Sequence, residues 1–211
     1  VAPMTGQHAM RLTKRFCGGG ESRVRRLTIP ILMIAALMSP WLLSASARGA
    51  EEADNLEQRV KAAFLYQFAG YVEWPPASFA RADTPVTIGV IGAEPLAAEL
   101  NQVVTGRTGG GRALAVKRVK PGESLAGVHI LFVGKAEHSQ VGQLTQSAKP
   151  RPILTVTEAE GALTQGSMIN FILVDRRVRF EIALDAAEKN GLKLSSRLLA
   201  VAQDVRTGGG R

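Results

Sequence analysis

Apolar positions crowd the segment from Val60 to Pro76, VKAAFLYQFAGYVEWPP, where only Lys61, Gln67 and Glu73 interrupt them. The pattern predicts one helix, apolar on nearly every side and therefore mostly buried. Asp54, with Glu57 three residues on, supplies an N-terminal cap. Pro75 has no amide hydrogen to continue the helix and biases Trp74 toward an extended conformation, so the helix stops there.

Beyond the double proline, short apolar runs alternate with amphipathic stretches. Strands are predicted over 85–91, 113–119, 128–133 and 153–157, and helices over 94–104 and 136–147. Residues 167–174 and 178–184 form a hairpin across Asp175-Arg176-Arg177. Two helices, 186–190 and 196–204, close the chain, with Gly191 as the stop between them. The continuous runs Ile88–Ile91 and Val128–Val133 fit central strands covered on both faces. By contrast, the run from Val178 to Leu184 alternates: Val178, Phe180, Ile182 and Leu184 face the core, and Arg179 and Glu181 share the other face. The fold class is α/β, a single layered domain with a mixed, mainly parallel sheet of about five to six short strands flanked by helices.

The hexapeptide RTGGGR occurs twice, at 107–112 and 206–211. It is too short for a structural repeat, and the first copy lacks the Gly-Lys-Ser/Thr end of a phosphate loop. The first copy reads as a flexible turn and the second as a flexible tail.

The N-terminal region has a different character. Arg23, Arg25 and Arg26 precede an uncharged apolar run at 27–43, and Ala45-Ser46-Ala47 follows. Basic, apolar and small-residue regions in that order describe a secretory signal peptide over 1–47, cleaved after Ala47. The alternative is an uncleaved inner-membrane anchor at 27–43, at the short end of the spanning range. A linker at 48–56 then leads into a domain over 57–205.

Charge changes the picture only a little. The chain carries a net charge of +8, but residues 1–47 hold six Lys/Arg and one Asp/Glu, so without them it is +3. No basic run interleaved with aromatics points to nucleic acid. Cys17 is the only cysteine and precedes the cleavage point. The mature protein therefore has no disulfide, no thiol chemistry and no cysteine-based metal site.

The remaining chemistry is sparse. His129 interrupts an apolar strand and reads as a hydrogen-bonded core residue, and His138 as an exposed helical one. Ser195 and Ser196 precede a helix and read as caps. Glu158 and Glu160 flank a turn and lack the second acid site that general acid–base work needs. No catalytic residue, cofactor or metal is expected. Arg179 and Glu181 are the candidates for partner or ligand binding, because they point the same way about 7 Å apart along one strand.

Three segments, Val60–Pro75, the strand VHILFV at 128–133, and the run joining GSMINF at 166–171 to RFEI at 179–182 and GLKLSSRLL at 191–199, together resemble the YfiR family of exported bacterial proteins. The resemblance covers 57–205. It implies a periplasmic, non-enzymatic repressor of an inner-membrane diguanylate cyclase in cyclic di-GMP signalling and biofilm regulation. Implied partners are the periplasmic part of that cyclase or of a sensor kinase, an outer-membrane lipoprotein that relieves repression, and a second copy in a homodimer. Many members carry a cysteine where this chain has Val128, so disulfide-based redox control cannot operate here. The alternative is a periplasmic small-molecule-binding sensor module serving a transporter or a histidine kinase.

Overall fold

Helix α1, Ser39–Tyr71, lays one apolar stripe against a sheet. Ala62, Leu65, Phe68 and Ala69 are buried at the spacing of one helix face, while Ala63, Gln67 and Gly70 face outward. The helix is thus half covered, not mostly buried. The computed structural model describes residues 39–208, with side chains from residue 51. Most of the expected export signal over 1–47, including Cys17, and the end of the 206–211 tail lie outside them. Residues 48–56, read as a linker, are helical, and Asp54 lies inside α1, so it is no N-cap. Among the described residues, no helix is long and apolar enough to cross a membrane.

After α1 the chain runs through β1 (Val72–Glu73), β2 (Val86–Ile91), α2 (Glu94–Val104), β3 (Thr108–Gly109), β4 (Arg112–Arg118) and β5 (Ile130–Val133). It continues with α3 (Val141–Ala148), β6 (Leu154–Thr157), β7 (Ile169–Val174), β8 (Arg177–Ala183) and α4 (Leu184–Lys189). The chain ends in β9 (Lys193–Leu194), α5 (Ser196–Val201) and β10 (Asp204–Arg206). Eight strands form one mixed sheet in the order β10-β8-β7-β6-β5-β2-β4-β3, more than the five to six expected. The pairs β7–β8 and β3–β4 are antiparallel, and the rest are parallel. The extra strands are β3 and β10, each too short to show as a periodic run. A separate antiparallel pair joins β1 to β9, with Val72 opposite Leu194.

The continuous apolar strands are central, as the pattern required. In β5, Ile130 and Phe132 join the core under α1 and α2, while Leu131 and Val133 join a second core under α3. Both faces of the sheet are therefore dry at its centre, in β5 and β6, and the period of two divides each strand between them.

Four local expectations are corrected. The helix read over 136–147 is a 3-10 turn, Lys135–Gln140, followed by α3. The break falls at Glu137, whose side chain packs over Gly92 at φ +66° and accepts a hydrogen bond from Gln140 at 2.6 Å. Helix α5 stops at Val201 instead of running to 204, because the Gln203 amide donates to the Phe180 carbonyl at 2.8 Å and starts β10. Leu184 opens α4 and is no longer a strand residue. RTGGGR at 107–112 is an ordered hairpin: Gly110 and Gly111 take φ of +59° and +79°, and a Cβ on Gly109 would come within 3.0 Å of the Ala69 Cβ.

Candidate functional site

The β7–β8 hairpin is closed by two residues, Asp175 and Arg176, at φ 50° and 60°, between the paired Val174 and Arg177. Arg177 therefore belongs to the strand and not to the turn. Both turn residues occupy the left-handed region that such hairpins require and that Asn-Gly usually fills. A non-glycine residue such as Arg176 is strained there by roughly 1–2 kcal/mol. Strain of this kind concentrates where a side chain is needed in place.

Toward its tip the hairpin faces the middle turns of α1, residues 53–64. Leu173 lies opposite Val178 in register, and both belong to the sheet face that carries Phe171 and Phe180. Phe64 and Phe68 of α1 meet Phe180 edge-on with centroids 5.3 and 5.2 Å apart, which closes the inner end of the space. Outward from Phe64 the helix and the hairpin leave a groove of about 670 Å³. Val60, Phe64, Leu173 and Val178 are its apolar lining, with Leu56 at the rim. Leu56 is 61% exposed and Leu173 55%, and with Val201 they are the large apolar residues left most open to solvent among the described residues. Arg176, Arg177 and Arg179 stand along the hairpin side, and Asp54 and Glu57 along the helix side.

The two candidates from the sequence are separated. Arg179 reaches this groove and takes part in no ion pair among the described residues. Glu181 lies opposite Asp204 of β10 and pairs with Arg206 at 3.5 Å. It is the parallel pairing with β10, invisible to periodicity, that takes Glu181 out of reach. Leu173 escaped the sequence reading because it continues an apolar pattern that elsewhere marks core, and Leu56 because it lies in the stretch read as a linker. Their exposure could be found only by knowing where α1 stops covering the hairpin.

Two buried polar clusters brace the domain. Lys61, 2% exposed, bonds Glu57 one turn earlier on α1 and Glu158 at the end of β6. The Lys135 amide donates to Glu158 at 2.9 Å, and its ammonium reaches Glu57 at 3.2 Å. Burial pushes the Glu57 carboxyl up, but the hydrogen bonds and charges of Lys61 and Lys135 outweigh it and hold Glu57 below its ordinary value. The Lys135 ammonium, disfavoured by desolvation, is held above its ordinary value by Glu57, Glu158 and Asp54.

His129 is the second brace, and a core residue as expected. The Thr87 amide donates to Nδ1 at 3.1 Å, so the ring proton sits on Nε2 and is donated to the Ser78 carbonyl at 3.2 Å. Phe79 stacks on the ring at 4.6 Å, and the Arg112 guanidinium covers the other side of Phe79 at 3.9 Å. The Arg112 guanidinium also donates to the carbonyls of Ala82 and Thr84 at 2.6 and 3.1 Å. Trp74 Nε1 donates to the His129 carbonyl at 3.3 Å. His129 thus anchors the crossing from the double proline to β2. Burial pulls its pKa below the ordinary value near 6.5, against the Ser78 hydrogen bond and with help from the Arg112 charge. Elsewhere Ser195 caps α5, accepting from the Leu198 amide at 3.3 Å, and His138 is exposed.

A family model described as YfiR/HmsC-like matches residues 58–203, which leaves out Asp54, Leu56 and Glu57 on the groove's helix side and strand β10 beside Glu181. No curated protein matches the chain. Among solved structures, the chain is similar to a conserved domain protein from Vibrio cholerae O1 biovar El Tor, with a TM-score of 0.48 and 11% identity. That similarity covers 71% of this chain and 60% of the Vibrio protein's length.

Proposed function

The chain belongs to the YfiR/HmsC-like family, and on that premise we propose that it is a periplasmic, non-enzymatic regulator that binds and represses an inner-membrane diguanylate cyclase. The observation that carries the reading is the family match across 58–203. A groove with exposed leucines beside three arginines gives such a regulator a surface to bind with. Burying Leu56 and Leu173 against a partner releases apolar area from water, and the arginines set its orientation and its partner's charge. Repression acts by holding the cyclase in its inactive state, so the regulator must prefer that state.

Deleting the gene is expected to raise cellular cyclic di-GMP, and cross-linking is expected to recover a membrane cyclase. Unchanged levels with no cyclase recovered would remove the reading. Arg179→Glu and Leu173→Asp are each expected to weaken binding to the cyclase's periplasmic domain by about tenfold or more, with normal thermal melts, because neither side chain is in the closed core. Binding that survives both changes would move the interface elsewhere.

A second reading rests on the groove's size. About 670 Å³ lies within the range of small-molecule sites, roughly 300–1,000 Å³. It makes the protein a ligand-sensing module for a transporter or histidine kinase. A melt raised by a periplasmic metabolite, and left unraised in the Leu173→Asp variant, would favour it.

A further inference from the structure

Strand β8 has an edge that its neighbours leave unpaired. β10 pairs only with Glu181–Ala183, and just before it Gln203 donates to the Phe180 carbonyl. Among the described residues, no strand pairs with the outer side of β8 nearer the turn. The backbone groups of alternate residues point to the same side of a strand. Phe180 directs its carbonyl outward, so Val178, two residues earlier, directs its N–H and C=O outward too. Arg177 and Arg179 turn theirs inward, toward Val174 and Ile172 of β7. Side chains alternate as well. Val178 faces the α1 side with Phe180 and Leu173, while Arg177 and Arg179 face the opposite side. Both arginines nevertheless line the groove, so the groove reaches round the outer edge of β8.

We infer that this edge receives an extended segment of a protein partner, added as a strand beside β8, in which apolar and acidic residues alternate. The inference rests on the reading that the groove is the partner site, and it names the partner's chemistry. A strand laid there sends alternate side chains to the α1 side, where Val60, Phe64 and Leu173 form an apolar lining, and the others to the side of Arg177 and Arg179. Neither arginine has an ion-pair partner among the described residues. Carboxylates directly across from them complete cross-strand charge pairs. In such strand addition the main chain gives affinity, and the alternate side chains give specificity. Charged residues on an edge ordinarily repel stray strands. Two arginines repel basic strands and leave an acidic one as the permitted exception.

The test uses the purified protein and short fluorescein-labelled peptides, followed by anisotropy. One alternates valine with glutamate, one valine with lysine, and one is the glutamate peptide N-methylated along the edge that would face β8. The glutamate peptide is expected to bind about tenfold or more tightly than the lysine peptide. N-methylation is expected to abolish its binding, and an Arg177→Glu/Arg179→Glu variant to reverse the preference. Equal binding of the first two peptides, or full binding of the N-methylated one, would overturn the inference without relying on any protein variant. So would dimerisation that Leu173→Asp abolishes, which makes a second copy the occupant, or capture by anionic vesicles that the double variant abolishes. If the peptides fail while Arg179→Glu still releases the cyclase, strand addition falls and the repressor reading stands. If the peptides behave as expected while gene deletion leaves cyclic di-GMP unchanged, strand addition stands and the repressor reading falls.

Discussion

Lys61→Met is expected to lower stability by about 3–5 kcal/mol, and the melting temperature by about 10 °C or more, although the new side chain is apolar and of similar length. The loss comes from what remains. Glu57 and Glu158 converge on the Lys61 ammonium, and Glu158 is 8% exposed. Without the cation two carboxylates face each other with little water, and Lys135, largely exposed, compensates only in part. The companion variant Lys61→Met/Glu158→Gln removes the stranded charge and is expected to regain much of the loss. Acid sharpens the test. Glu57 is held below its ordinary 4.5 in the native protein, so in the wild type it contributes stability above that value and loses it as pH falls through its folded pKa. The single variant lacks this interaction, so its deficit against wild type should shrink below about pH 4.5. A melt within a degree or two of wild type, or a deficit constant with pH, would show that the cluster is no brace.

Acid should also act through His129, in a higher window. Its folded pKa lies below the ordinary 6.5, so the unfolded chain binds the proton more readily. Stability is full above about pH 6.5 and falls as pH drops through 6.5 toward the folded pKa. The first cause is burial, which disfavours the charged ring, with the Arg112 charge adding to it; a proton on Nδ1 would also confront the Thr87 N–H that now donates to it. His129→Ala is expected to cost about 3 kcal/mol or more at neutral pH, from the cavity beside Phe79 and the two lost hydrogen bonds. The variant should also lose the pH dependence below about 6.5. His138→Ala, at an exposed position, should change neither quantity. Thermal melts across this range decide the matter. A wild-type profile flat from neutral pH to well below 6.5 would show that the folded ring takes up a proton as readily as the unfolded one.

How much of this was legible in the chain depends on the range of the interaction. The continuous run ILFV and the alternation of Val178, Phe180 and Ile182 gave β5 and β8 their places, because a strand's period of two is local and the dry faces leave no choice of residue type. The export reading came from the order of basic, apolar and small residues before Ala47, the family and its regulatory role from three segments that include these runs, and the match over 58–203 agrees with that family. Cap and turn chemistry was legible at Ser195 and Gly191, where one side chain or one positive φ suffices. Helix ends set by distant partners were not. The break at Glu137 answers to Gly92, and the stop at Val201 answers to Phe180.

The sequence by itself determined the class of the fold, the central strands and a hydrogen-bonded His129. Only the tertiary structure decided that Lys61, a polar interruption on an apolar helix, is the buried centre of a charge cluster. It alone decided that Glu181 is held by Arg206, and that Leu56 and Leu173 are open. The physical reason is the same in each case. A residue's type fixes what environment it can tolerate, but its exposure depends on which element, far along the chain, comes to cover it. Here α1 and β10 each cover one part of the β7–β8 hairpin and leave its tip bare.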